Sequence, residues 1–225
     1  MKKEIVIARH QEQLTKWIHT VPDDVDIVVY NKGGHKFQIC QEVKGRAVKV
    51  KSLPNVGREG HTYLTHIVEN YNNLADITFF TQGNPGPHLK GKEISDFFSI
   101  PNTDSKSSVM TLATTSASKS FSAWRGANPP QHLTGAITGS RWGAKQSKTP
   151  FPVWWEKYVR LPIPDSKSVQ FSWGGTFSVT RNYILSNSKR YYKKLLSTVA
   201  SGVNPEEGHY LERAWSYIFN PNNNG

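Results

Sequence analysis

Short apolar, β-branched runs alternate with helical periodicity over the first ninety residues, and this alternation restricts the chain more than any other feature. Glu4 to Ala8 and Asp26 to Tyr30 read as strands, and Gln11 to His19 between them carries Leu14, Trp17 and Ile18 at helical spacing. Two shorter strands are expected at Phe37 to Cys40 and Ala47 to Val50. Tyr63, Leu64, Ile67, Val68 and Tyr71 recur at i, i+1, i+4, i+5 and i+8, which predicts a helix over 58–72. Asp76 to Thr81 is a continuous apolar strand of the kind buried on both faces, and Gln82-Gly83-Asn84-Pro85-Gly86-Pro87-His88 stops it. Elements in this order imply an α/β domain with a mainly parallel central sheet flanked by helices. Ligands of such sheets bind beyond the carboxyl ends of the strands, which singles out the loops at 31–34, 52–58 and 82–88.

The second half is organised differently. Residues 101–150 are rich in Ser, Thr, Gly, Pro and Lys without clear periodicity, although Phe121, Trp124 and Trp142 argue that parts of the stretch pack. It is expected to be a long excursion, and its Lys106, Lys119, Arg125, Arg141, Lys145 and Lys148 have no acid among them. Val169 to Thr180 reads as a strand interrupted by a Gly pair, Thr180 as a helix cap, and Arg181 to Ala200 as a basic amphipathic helix. A last helix starts near Pro205, with Glu206 and Glu207 at the positive end of its dipole, and the tail Asn220 to Gly225 is expected to fray.

At 225 residues the chain suits one domain with one core. Seven Trp, nine Tyr and ten Phe supply too much burial for a disordered chain, and no apolar run approaches the roughly 18 residues of a membrane span. Cys40 is the only cysteine, which excludes an intrachain disulfide and a Cys-based metal cluster. The apolar run Ile5 to Ala8 is too short for an export signal and follows Glu4, so the cytoplasm is the expected compartment. Net charge is +11 and unevenly placed. Residues 1–104 carry 13 basic and 12 acidic groups, residues 105–200 carry 14 and 2, and residues 201–225 carry 1 and 3. The 105–200 stretch therefore faces something anionic: nucleic acid, an anionic surface or a phosphorylated small molecule.

Four constellations bear on chemistry. Gln82-Gly83-Asn84 ends a buried strand where a diphosphate is commonly held, although a tight turn needing Gly and Asn explains the same residues. Trp173-Gly174-Gly175 allows close backbone approach to a ligand beside a stacking indole, or else a β-bulge with a core Trp. On the helix Glu206 to Trp215, Glu207, Leu211 and Ala214 share one face while His209, Glu212 and Arg213 lie on another and offer a carboxylate, an imidazole and a guanidinium close together, against the plainer reading of capping and surface pairs such as Glu206 with Arg213. Asn55-Val56-Gly57-Arg58 opens a helix whose free N–H groups favour an anion that Arg58 can grip, or else Asn55 caps and Arg58 pairs with Glu59 in solvent. His10, His19, His35, His66 and His132 lack ligand spacing.

The order Tyr30-Asn31-Lys32-Gly33, Asn55-Val56-Gly57-Arg58-Glu59, Asp76 to Pro85, Trp173 to Val179 and Glu212 to Phe219 resembles an uncharacterised-domain family similar to nucleotide-sugar glycosyltransferases of the GT-A fold. The likeness touches about the first 90 and last 55 residues. Small domains of this kind also occur in large DNA viruses of algae, for which the compartment would be the host cytoplasm. The resemblance implies one domain over 1–225. Residues 1–100 would hold a uridine or guanosine diphosphate through Asn31, Lys32, Asn55, Gly57, Arg58, Gln82, Gly83 and Asn84. Residues 101–165 would be a basic excursion. Residues 166–225 would receive sugar and acceptor through Trp173, Gly174 and Gly175. It implies sugar transfer to a glycan or small-molecule hydroxyl, with Glu207 or His209 as base, and a divalent cation, manganese or magnesium, on Asn84 and His209. The Asp-x-Asp motif of most such enzymes is absent, and because a hard cation wants anionic oxygens, Lys or Arg side chains are expected to replace it. Asp76 is a poorer base because it starts its strand at the far end. Whether the anomeric configuration inverts is left open. The alternative is a non-catalytic basic module binding nucleic acid or an anionic polysaccharide.

Overall fold

The computed structural model describes residues 1–33, 42–99, 110–112, 147–161 and 175–219. Its strands are β1 (Lys3–Arg9), β2 (Val25–Asn31), β3 (Glu42–Val43), β4 (Arg46–Ser52), β5 (Ile77–Gln82), β6 (Met110–Leu112) and β7 (Phe177–Thr180). Its helices are α1 (Arg58–Asn70), α2 (Gly86–Leu89), α3 (Phe151–Tyr158), α4 (Arg181–Leu185), α5 (Lys189–Thr198) and α6 (Glu206–Ile218). Phe37 to Cys40, most of the 101–150 excursion, the first part of the strand expected from Val169, and the tail beyond 219 lie outside the described residues.

The strands form one sheet in the order β3-β4-β2-β1-β5-β7-β6. β4, β2, β1 and β5 are mutually parallel, while β3–β4, β5–β7 and β7–β6 are antiparallel. The sheet is thus mixed rather than mainly parallel, with a parallel centre and antiparallel edges. At one edge the cause is a two-residue turn, Lys44-Gly45, with φ of 51° and 75°. Two positive φ values in succession suit the twist of a tight hairpin. At the other, β7 returns from the second half of the chain to lie against β5.

Both faces of the central strands are covered, as their unbroken apolar runs require. Val6, Ala8, Val28, Tyr30 and Phe80 turn toward α1, α3, α5 and α6, where Tyr63, Trp154, Trp155, Tyr192, Leu211 and Trp215 complete one core. Ile5, Ile7, Ile27, Val29 and Phe79 turn the other way onto Leu14, Ile18, Ile94, Phe97 and Phe98. The expected helix over Gln11 to His19 is instead two 3-10 turns, Leu14–Lys16 and Ile18–Thr20. Their buried residues are Leu14 and Ile18, and the Trp17 indole donates to the Gly83 carbonyl at 2.9 Å, a bond that fixes the segment across the ends of β1 and β5.

The basic helix expected over Arg181 to Ala200 is two helices. Ser188 restarts the chain as the cap of α5, its hydroxyl accepting from the Tyr191 amide at 3.2 Å. Asn187, in the break, donates to the Ile218 carbonyl at 2.7 Å and accepts at its own carbonyl from the Tyr71 hydroxyl at 2.6 Å. Thr180 stands at the cap position of α4 but makes no side-chain cap bond, and Pro205 is the cap of α6 rather than part of its first turn. Among the described residues no helix is long and apolar enough to cross a membrane.

Candidate functional site: a cationic cleft at the carboxyl edge of the sheet

β1 runs on toward β2, whereas β5 enters on the opposite side of β1 and leads away from it, so the strand order reverses between β1 and β5. Such a reversal parts the outgoing loops and opens a crevice at the carboxyl ends. A cleft of about 270 Å³ lies there. Ala8, Arg9, His10 and Glu12 come from the end of β1, Lys32 follows β2, and Gln82 ends β5. Asn55, Arg58 and Glu59 come from the start of α1, and Val203 and Asn204 precede α6.

The wall on the α1 side is built around an unusual helix start. Gly57 and Arg58 both adopt left-handed backbone, with φ of 62° and 52°. Gly57 has no substitute, because a Cβ there would lie 2.1 Å from the Val199 carbonyl oxygen. The Gly57 and Arg58 amides donate to the Gly202 and Val203 carbonyls, which consumes two of the N–H groups expected to be free for an anion. The Lys32 ammonium is buried and donates to the Val56 and Arg58 carbonyls, so one cation ties the end of β2 to this turn. Burial pulls the Lys32 pKa down to about 8, with Glu59 opposing the shift and Arg58 reinforcing it. An ammonium has three donors, and the one not committed to these carbonyls is available to a ligand in the cleft.

Arg58 is held rather than solvated. Its Nη1 lies 2.7 Å from His209 Nε2 and 3.4 Å from Asn204 Oδ1, and its Nε lies 3.5 Å from Glu59 Oε2. Glu59, with Glu212 behind it, outweighs burial and holds the guanidinium above its ordinary pKa. Burial, reinforced by Arg58 and Arg213, drives the His209 imidazole down to about 2. A ring kept neutral by burial, with two guanidinium groups adding to it, does not take up a proton near neutral pH, so His209 positions Arg58 by accepting from it. On α6, Arg213 donates to the His209 carbonyl at 2.9 Å and faces Glu212 at 3.2 Å. A Cβ on Gly208 would lie 3.2 Å from Arg58 Cδ, so a larger residue there would make the Arg58 side chain shift by a few tenths of an ångström.

The opposite wall is stapled by Arg9. Its guanidinium donates to the Glu12 carbonyl at 3.0 Å, the His10 carbonyl at 2.9 Å and Asn31 Oδ1 at 2.6 Å. Glu12 Oε2 in turn accepts from the His10 amide at 2.7 Å and the Gln11 amide at 3.1 Å. Glu12 fills the space over Gly83, where a Cβ would come within 2.6 Å of its carboxylate.

Of the residues the sequence singles out, Lys32, Asn55, Arg58 and Gln82 line the cleft, Gly57 shapes its wall, and Asn31 supports it through Arg9. Gly83 lies behind Glu12, and Asn84 is exposed outside the lining. A Cβ on Gly175 would lie 3.4 Å from Glu59 Cγ and from Tyr63 Cε2, so its backbone runs beside the cleft residue Glu59, while Trp173 and Gly174 lie outside the described residues. Glu207 faces away to Ser147, whose hydroxyl donates to it at 2.5 Å, and Glu206 accepts from the Ser147 amide at 2.8 Å rather than pairing with Arg213. Asp76 sits at the far end of the sheet with Arg181, as its place before β5 requires. Asn84 and His209 do not fit a shared divalent cation: the guanidinium already faces the imidazole, and Asn84 is not on the wall. Among the described residues no group of three or more His, Cys, Asp or Glu is placed to hold a metal ion.

Sequence reasoning missed Arg9, His10 and Glu12, although the rule that selected the loops after β2 and β5 applies equally to the one after β1. Val203 and Asn204 carried no signal, because only the approach of the α5–α6 connection to α1 brings them in. No curated protein and no solved structure matches the chain. A family model described as Protein of unknown function (DUF3431) matches residues 5–224, and by that match, over nearly its whole length, the chain belongs to this family.

Proposed function

We propose that the cleft binds a nucleotide diphosphate sugar and that the protein is a glycosyltransferase passing the sugar to an acceptor hydroxyl. The observation that carries this reading is the convergence of Lys32 and Arg58, with Arg9 behind them, on one crevice at the switch point of the sheet. In sugar transfer the bond from the anomeric carbon to the diphosphate breaks as the bond to the acceptor oxygen forms. Charge therefore develops on the departing phosphate, and the acceptor proton must be taken up. Lys32 and Arg58 supply the compensating charge, Gln82 and Asn55 offer amides to the nucleotide or sugar, and His209 keeps Arg58 aimed. Two carboxylates line the cleft to receive the proton. Glu59 is already opposite Arg58, so the half-buried Glu12 is assigned that role in place of Glu207.

The test is a thermal-shift panel of uridine and guanosine diphosphates and their sugars, with and without manganese. A ligand bound only by the folded state raises the melting temperature by mass action. At least one nucleotide is expected to raise it, Arg58→Gln to abolish the rise, and Glu12→Gln to lower turnover at least a hundredfold with donor binding retained. Silence across the panel would remove the reading.

A further inference from the structure

A second concavity, also of about 270 Å³, lies between the end of α3 and the outer face of α5. It is lined by Lys157, Tyr158, Arg160, Tyr191, Lys194 and Ser197, three cations with no carboxylate among them. The first cleft differs, since its cations share the wall with Glu12 and Glu59. The dipole at the carboxyl end of α3 accounts for cations at Lys157 and Arg160. It does not account for Lys194, which faces them from another helix and adds like-charge repulsion unless an anion is present.

Arg160 is placed by strained backbone. It follows the cap of α3 with φ of 64°, and its amide closes the helix by donating to the Trp155 carbonyl at 3.1 Å. Glycine is the usual residue there because it adopts positive φ without cost. An arginine at this point sends its guanidinium over the buried Tyr191 ring at 5.6 Å, and Lys157 similarly lies 5.2 Å from the centre of the Tyr158 ring. Cations resting on rings keep their N–H groups free to turn toward a ligand, and the guanidinium fork matches two phosphate oxygens at once. The Ser197 hydroxyl donates to the Lys194 carbonyl at 2.7 Å, so the donors to an anion there are the three cations. The volume admits a phosphoryl group and one ring, and half-buried Tyr158 offers that ring a flat surface.

We infer that this concavity is a second anion site that takes a phosphate ester carried on a compact ring, independent of the nucleotide-sugar cleft. The test is a titration of isotope-labelled protein followed by amide chemical shifts, with ribose 5-phosphate, inorganic phosphate and free ribose as probes. Ribose 5-phosphate is expected to give saturable shifts over 157–161 and 190–198, and free ribose none. The double variant Arg160→Gln/Lys194→Gln, at two exposed side chains, should weaken that binding at least tenfold while nucleotide binding at the first cleft stays unchanged. Vesicles of phosphatidylcholine with phosphatidic acid separate two sources of the ester. Sedimentation with them, lost in the double variant, makes it a lipid headgroup, and no sedimentation makes it soluble. Unchanged affinity in the double variant, equal response to ribose, or binding there by an oligonucleotide but by no small phosphate would each overturn the inference.

Discussion

Lys32 is a buried side chain that holds the structure together and on which the proposed binding depends. Its ammonium holds the Val56 and Arg58 carbonyls in the left-handed turn, and burial brings its pKa to about 8. The unfolded chain keeps that proton up to about 10.5, so the folded state carries a penalty below pH 8 that is relieved as pH rises between the two values. Binding runs the other way, because an anion in the cleft needs the charged form. Affinity for uridine diphosphate is expected to fall by about tenfold in all as pH rises from about 8 to 10 and then to level off, with proton uptake measurable by calorimetry in two buffers. Lys32→Met should weaken binding about tenfold at pH 7, the scale of one charge-assisted bond, and flatten the profile. A slope that persists in the variant would assign it to another group.

At the scale of elements, the start of α1 organises the site because the α5–α6 connection packs directly on it. The Val199 carbonyl occupies the space a Gly57 side chain would need, and Gly202 and Val203 accept the first two amides. Gly57→Ala adds a clash to a backbone conformation that alanine disfavours, a loss expected at about 2–3 kcal/mol, or roughly 5–10 °C in melting temperature for a chain of this size. A thermal melt within 2 °C of the parent would show that the turn is not rigid. The break between α4 and α5 illustrates the same dependence on neighbours. Ile184, Tyr191, Tyr192 and Leu195 enter one core and so read as one periodic helix, but Asn187 is held by α1 and α6 and forces a restart at Ser188.

Across the whole molecule, a buried polar chain joins the layers. The Tyr30 hydroxyl on β2 and His66 Nδ1 share a hydrogen bond at 3.2 Å, and His66 Nε2 on α1 faces Glu4 Oε1 on β1 at 3.0 Å. Burial pushes the Glu4 carboxyl up, but His66, with Lys2 and Lys49, outweighs it and holds it below its ordinary value of 4.5. A depressed carboxyl contributes stability that is fully present above that value and lost as pH falls through the folded pKa. Glu4→Gln is expected to cost about 1–3 kcal/mol at pH 7 and to flatten the loss of melting temperature between pH 5 and pH 3. Parallel acid profiles for parent and variant would show that this link contributes nothing to acid unfolding.

The sequence by itself determined the strands β1, β2, β4 and β5, the helix α1 and the carboxyl edge at which a cleft lies. Period and burial on both faces are local properties of an apolar run, and Lys32, Asn55, Arg58 and Gln82 fall where those strands end. Only the tertiary structure decided that the sheet is antiparallel at its edges, that Glu207 turns away to Ser147, and that His209 braces Arg58 instead of accepting a proton. Strand direction at an edge and the partner of a buried charge depend on what the rest of the chain packs there. For His209 that packing sets two guanidinium groups beside one desolvated ring, a circumstance no local pattern of residues encodes.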